Sequence, residues 1–228
     1  MNIFYFMIGS ILGSFLVVCA KRIPIQEHFL ISRSHCDHCQ RNLSFWEMIP
    51  IVSSIVLKFR CRTCHQPIPV SYCLFEILYG CLFVFCLQQS GVKEISLSLI
   101  WLTMAVLLSL TDLFYWTVEP KLFYPFAGGL WLINFSFGFH FYWQSLLLIC
   151  FIIILFSIYL RGKMGMGDLL LLLAWAPWLT PNELAWLLLL ASFSALMVFL
   201  IYRLIKKECT KLPFVPFLSM ALFFVHFF

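Results

Sequence analysis

The sequence predicts an all-α polytopic membrane protein of about eight transmembrane helices, with one small zinc-ribbon-like module on the cytosolic side. Three observations predict it. Of the 228 residues, 63% are hydrophobic and only 11% charged, where a soluble domain carries roughly 25% charged; a core of this length cannot hide that much apolar surface, so lipid must cover it. The apolar residues are gathered into runs of about spanning length, each bounded by charge, proline or glycine. The one long interval between such runs holds two Cys-x-x-Cys pairs.

The first run, residues 2–20, has no positive region ahead of it, and Lys21 and Arg22 follow it instead. No small-residue cleavage site is evident, so it reads as a retained span with its N-terminus outside rather than as a signal peptide. Seven further runs lie at 71–89, 95–112, 122–139, 144–160, 167–180, 184–202 and 212–228. The run at 167–180 is short, about 21 Å if helical, and is expected to extend into the glycine-rich segment before it or to sit where the bilayer thins. The predicted division is a first transmembrane helix at 1–20, a cytosolic zinc-binding module at 21–70, and a seven-helix membrane domain at 71–228 that carries the aspartates. The 26 phenylalanines and 8 tryptophans suit a lipid-facing surface with interfacial anchors.

Orientation follows from the basic residues. Of the 15 lysines and arginines, only Lys93 falls in an outer loop when the N-terminus is placed outside, as the positive-inside rule requires. The chain is therefore expected to cross a membrane several times with the cysteine module on the cytosolic side. Topology also accounts for the net charge of +5, so no nucleic-acid partner is needed to explain it.

The polar interval reads Cys36-Asp37-His38-Cys39, twenty-one residues, then Cys61-Arg62-Thr63-Cys64. Two such knuckles are the pattern of a tetrahedral, four-thiolate zinc site. Disulfides are the competing reading, and a cytosolic position, where thiols stay reduced, favours metal. A loop this small cannot build a core, so bound zinc would supply its folding energy. Four protein ligands leave no open position, so the zinc is expected to be structural. Cys19, Cys73, Cys81, Cys86 and Cys150 lie in or beside apolar runs and are expected to pack there; Cys209 is given no role.

The chain holds three aspartates, and Asp37 belongs to the first knuckle. Asp112 ends the run at 95–112 and Asp168 begins the run at 167–180, where a carboxylate is costly. Under the predicted topology both arrive at the cytosolic rim of the bilayer on different helices. Two carboxylates held together at low dielectric cannot both ionise and share a proton. Peptide hydrolysis by aspartates needs that arrangement: the ionised member takes a proton from water and the protonated one polarises the scissile carbonyl. Asp168 follows Gly165-Met166-Gly167, where glycine permits a sharp turn or a close approach to the carboxylate. The alternative roles are a helix N-cap for Asp168 and interfacial ion pairs; for Asp112 a cap is disfavoured, because a carboxylate at a helix C-terminus opposes the dipole.

From one end to the other, the chain resembles the type IV prepilin peptidases. Gly13-Ser14-Phe15-Leu16 with Arg22 and Pro24 is similar to that family's opening motif. Ser34, Cys36, Cys39, Leu43, Trp46, Glu47, Ile49, Pro50 and Ser53 resemble its first knuckle and the stretch beyond, and Cys61, Cys64, Ile68, Tyr72 and Glu76 its second. Gly165-Met166-Gly167-Asp168 resembles the signature glycine–aspartate motif, and Leu212-Pro213-Phe214 with Pro216-Phe217-Leu218 the final one. The departures are Val17, Met48, Ser71, Leu170, Glu119-Pro120 and Val215, none of which removes a carboxylate of the pair. The resemblance implies an aspartic endopeptidase with Asp112 and Asp168 as the catalytic pair, supported by the Gly165–Gly167 loop. It implies prepilin or pseudopilin substrates, with a short basic leader ahead of an apolar helix, met within the lipid bilayer. The resemblance also implies a bacterial plasma (inner) membrane, and many members carrying the cysteine module methylate the new N-terminus from S-adenosylmethionine. Glu47 and Glu76, acidic residues at the module's edges, are candidates for recognising the basic leader or for the methyl-transfer site, with ordinary surface pairs to nearby arginines as the commoner alternative. Compact length resembles the competence-pilus versions. Two other readings remain open: a proton-coupled transporter whose zinc loop is a regulatory cap, and a non-enzymatic assembly subunit held together by zinc.

Overall fold

The computed structural model describes residues 2–27, 34–36, 38–159, 165–205 and 212–227. Arg33, Asp37, Arg161, Lys163, Lys206, Lys207, Cys209 and Lys211 lie outside the described residues. Each of the eight predicted runs coincides with helix. In order these are α1 (Asn2–Arg22), a 3-10 turn (Phe45–Met48), the short α2 (Val52–Val56), α3 (Val70–Leu87), α4 (Val92–Tyr115), α5 (Pro120–Phe137), α6 (Trp143–Tyr159), α7 (Met166–Trp175), a second 3-10 turn (Ala176–Trp178), α8 (Pro181–Leu204) and α9 (Val215–Phe227). Among the described residues only two isolated β-bridges interrupt this all-helical architecture.

The protein is an all-α polytopic membrane protein. Helices α1, α3, α4 and α8 are each long and apolar enough to cross a bilayer, and Trp143–Ile158, Met166–Trp178 and Val215–Phe227 are shorter apolar helices. The segment expected to be short stays short: α7 starts at Met166, with Gly165 as N-cap, and gains length from the 3-10 turn after it. Together they rise about 21 Å.

The chain divides within α4 into two compact units, Met1–Leu102 and Thr103–Phe228. In the first, α1 lies along α3. Gly9 and Gly13, one turn apart on α1, make this possible: a Cβ on Gly9 would stand 2.7 Å from Cβ of Phe83, and one on Gly13 would stand 2.9 Å from Cβ of Tyr79. Small residues at this spacing let two helices approach where lipid supplies no hydrophobic drive between them. The Cys-rich segment is fastened to the ends of this pair. Lys21 Nζ sits 4.7 Å from the ring centroid of Tyr72, and Arg22 lies 3.1 Å from His35 Nδ1.

In the second unit the core is built of Met104, Leu107, Leu108 and Leu110 from α4, Leu130 from α5, Ile149 from α6, Leu171, Leu172 and Trp175 from α7, Leu184 and Leu187 from α8, and Leu218 from α9. One end is locked by rings. Trp178 meets Trp131, Phe135 and Phe141 edge-on at 5.7, 5.2 and 5.3 Å, and Trp131 Nε1 donates to the Ala174 carbonyl at 3.2 Å. Helix α8 opens with a capping box: the Thr180 amide donates to Glu183 at 2.7 Å and the Glu183 amide to the Thr180 hydroxyl at 3.2 Å.

Candidate active site and metal centre

Asp112 lies in the last turn of α4 and is buried, 8% exposed. At that position its charge opposes the dipole of its own helix. Another helix solves the problem. Asp112 Oδ2 accepts a hydrogen bond from the Val215 amide at 3.1 Å, and the Phe214 amide also points at the carboxylate. Those two amides open α9, so Asp112 sits where an anion is favoured, at the N-terminus of a helix. Pro216, the next residue, has no N–H to offer.

The same face of α4 holds α9 in place farther along. Ser109 Oγ donates to Ser219 Oγ at 2.8 Å, and Ser219 Oγ lies 3.1 Å from the Ala105 carbonyl. Ala105, Ser109 and Asp112 follow helical spacing, so one stripe of α4 carries the contact that aims the α9 amides. Sequence reasoning missed Ser109 and Ser219. Their signal was modest: two hydroxyls in apolar runs, where small polar residues join helices.

Asp168 lies in the first turn of α7. The N-cap position belongs to Gly165, and Asp168 makes no hydrogen bond to a described residue, so capping is not its role. The Asp112 carboxylate is near enough for Asp168 to feel its charge. The two predicted aspartates, one on α4 and one on α7, thus lie in the same region of the second unit. Of the two reasons for glycine ahead of Asp168, close approach is the one observed. Gly165 has φ −66° and ψ 130°, which any residue adopts, so a sharp turn is not what calls for glycine there. A Cβ on Gly165 would stand 3.2 Å from Asp168 Oδ2. On Gly167 it would overlap the Val118 side chain, from the loop between α4 and α5. Met166 points outward and is 75% exposed.

In the first unit, the four predicted metal ligands meet. The Sγ atoms of Cys36, Cys39, Cys61 and Cys64 all lie within 4.8 Å of one another. Cys36–Cys64 and Cys39–Cys61 are separated by 3.9 and 4.0 Å, close to the 3.8 Å or so between ligands on a zinc ion with bonds of about 2.3 Å. Both knuckles share one backbone. The Gln40 amide donates to the Cys36 carbonyl and the Cys36 amide to Arg41; His65 to Cys61 and Cys61 to Gln66 repeat the pattern. Gln40 and His65 both take positive φ, at 56°, and the bridges His35–Asn42 and Arg60–Pro67 close the two turns. The amides of Cys64 and Thr63 point at the Cys61 sulfur, donors that suit a thiolate at that position. The four cysteines fit a zinc ion.

Glu47 and Glu76 have partners of their own. Arg41 donates to Glu47 Oε1 at 2.6 Å, and the Ser44 amide and hydroxyl reach Oε2 at 2.8 and 3.0 Å. The Ser44 amide foremost, with Arg41, holds the Glu47 carboxyl below its ordinary range. Glu76 is buried, and its Oε2 accepts the Ile51 amide at 2.8 Å. Both carboxylates therefore shape the loop between the knuckles.

Comparison with known proteins points one way. Residues 7–90 match the bacterial peptidase A24 N-terminal domain, and residues 99–200 match the type IV leader peptidase family. A Myxococcus xanthus prepilin leader peptidase/N-methyltransferase is 30% identical over 205 residues, covering 86% of this chain and 61% of the relative. A Bacillus subtilis protein of the same name is 29% identical over 133 residues, 57% of this chain and 54% of the relative. The chain thus spans less than two thirds of the length of these two. A Burkholderia pseudomallei protein of that name is 30% identical over 260 residues, covering 95% of this chain and 82% of the relative. No solved structure matches.

Proposed function

Because the chain belongs to the type IV leader peptidase family, we propose that it is a membrane aspartic endopeptidase that removes the short basic leader from type IV pilin-like precursors. Asp112 and Asp168 are its catalytic pair. What supports this reading is proximity: two carboxylates from α4 and α7, the only aspartates outside the cysteine module, lie near enough for one to feel the other's charge. The α9 amides on Asp112 suit it to hold the negative charge and accept a proton from the attacking water. Asp168, with no donor among the described residues, is suited to carry the proton toward the scissile carbonyl. The basic residues, gathered on one side of the predicted topology, support cleavage at the cytosolic face of the inner membrane.

Zinc held by Cys36, Cys39, Cys61 and Cys64 has a structural part in this scheme, and no step of cleavage passes through it. Methyl transfer enters as a second activity because the names of the relatives include it. Glu47 and Glu76 would support it by holding the loop rather than by binding the methyl donor.

The test is direct. Purified protein in lipid vesicles is incubated with a precursor bearing a basic leader, glycine, phenylalanine and an apolar helix, with S-adenosylmethionine supplied, and products are read by mass spectrometry. Cleavage after the glycine should fall on the order of 10²–10⁴-fold in both Asp112→Asn and Asp168→Asn. Residual cleavage at the wild-type rate in either variant would sink the dyad. An intact precursor beside inserted, zinc-loaded wild type would move the reading toward proton-coupled transport. An added methyl group would establish the second activity.

A further inference from the structure

Between Phe45 and Val56 every exposed side chain is apolar: Phe45, Trp46, Met48, Val52, Ile55 and Val56. Phe45 and Trp46 are 85% and 79% exposed. On a water-facing module six exposed apolar side chains within twelve residues would be an aggregation liability. Its position removes the difficulty. The Ile51 amide, in the middle of this segment, donates to Glu76, and Glu76 lies about 9 Å along α3 from Val70 at 1.5 Å per residue. At that level the exposed residues of α3 are Leu74, Ile77 and Leu78, the surface a spanning helix gives to lipid. The segment is therefore tied to α3 at the depth of its apolar span instead of beyond the end of it.

The backbone is bent to put it there. Ile51 has φ 64° and ψ −56°, a left-handed conformation that a β-branched residue adopts only at a cost. The buried Glu76 carboxylate holds it. Directly after the patch come Lys58, Arg60 and Arg62, all exposed.

We propose that Phe45–Val56 is inserted into the membrane interface, with its six apolar side chains among the acyl chains of the leaflet on the module's side and Lys58, Arg60 and Arg62 at anionic headgroups. An amphipathic segment with basic residues at its edge has the chemistry for that position. The depth at which Glu76 ties the segment to the apolar span of α3 selects lipid as the occupant. Charge agrees, since a positive rim suits anionic lipid and opposes a basic leader peptide.

Fluorescence quenching of the full chain in vesicles of phosphatidylcholine and phosphatidylglycerol tests this. The Trp46 signal is the difference between wild type and Trp46→Phe. A second reporter, Val56→Trp in the Trp46→Phe background, reads the other end of the patch. Both signals should be blue-shifted, lost when the phosphatidylcholine carries brominated acyl chains, and insensitive to aqueous acrylamide. Quenching by acrylamide with no response to brominated lipid would overturn the proposal. So would protection from both quenchers, which means that protein covers the patch, or protection that arises only when a precursor is added, which makes the patch a substrate surface.

Discussion

Replacing Gly167 by alanine should damage catalysis without touching a carboxylate. The added Cβ would stand 2.7 Å from Cβ of Val118, and an ordinary contact begins at 3.4 Å, so the first turn of α7 must move away by about 0.7 Å. Asp168 is the next residue and moves with it. A misplacement of about 1 Å in a reacting group can lower the rate on the order of 10²-fold, so kcat should drop between about tenfold and a hundredfold. KM should hold, because substrate binding is not the interaction disturbed. Repair is graded by the same distances. Val118→Ala keeps its Cβ at 2.7 Å and should restore little, whereas Val118→Gly leaves the Val118 backbone nitrogen at 3.6 Å as the next atom and should restore most of the rate. The assay is precursor cleavage in vesicles by all four single and double variants, with insertion checked by protease protection. A fully active Gly167→Ala, or a double variant with Val118→Gly no better than Gly167→Ala alone, would refute the reasoning.

Two further predictions concern the cysteine module. Cys61→Ser, or chelation of the metal, should release zinc and raise hydrogen exchange across residues 34–68, because the metal holds the loop; unchanged protection after verified metal loss would contradict this. Glu47 has a folded pKa below its unfolded value, so its contribution is fully present above the unfolded pKa and fades as pH falls through the folded one. Exchange protection of residues 41–48 should therefore weaken below about pH 4.5 more in wild type than in Glu47→Gln, a comparison that subtracts acid effects on the thiolates; equal pH profiles would show that the carboxylate contributes nothing there.

Helix positions were legible because apolar runs bounded by charge and proline need no tertiary context to be read, and α1, α3, α4 and α8 follow them closely. The cysteine cluster was legible for a similar reason, since two knuckles with fixed spacing have few geometries open to them. Partners across long sequence separations were not legible. Nothing local in Asp112 indicates that α9 would supply its donors, and nothing in Gly167 names Val118 as the neighbour that excludes a side chain. The interval 21–70 read as a soluble module because Glu47, Pro50, Ser53 and Ser54 interrupt the apolar residues between 45 and 56. Only in three dimensions is it evident that every exposed side chain of that stretch is apolar. Pairing with a nearby arginine was an expected outcome for Glu47 and is what Arg41 provides, but Ser44 and Ile51 meet Glu47 and Glu76 through turns that composition does not reveal.

The hydrogen bond from Val215 to Asp112 also sets a schedule for the nascent chain. The donor is separated from the acceptor by 103 positions, so at about 5–20 residues per second a ribosome needs on the order of 5–20 s to deliver it after Asp112 has been made. Through that interval Asp112 has α7 to meet but not the amides that orient it. A half-made chain therefore has both carboxylates in place before it has the amide that holds one of them, and the arrangement is completed only when α9 docks.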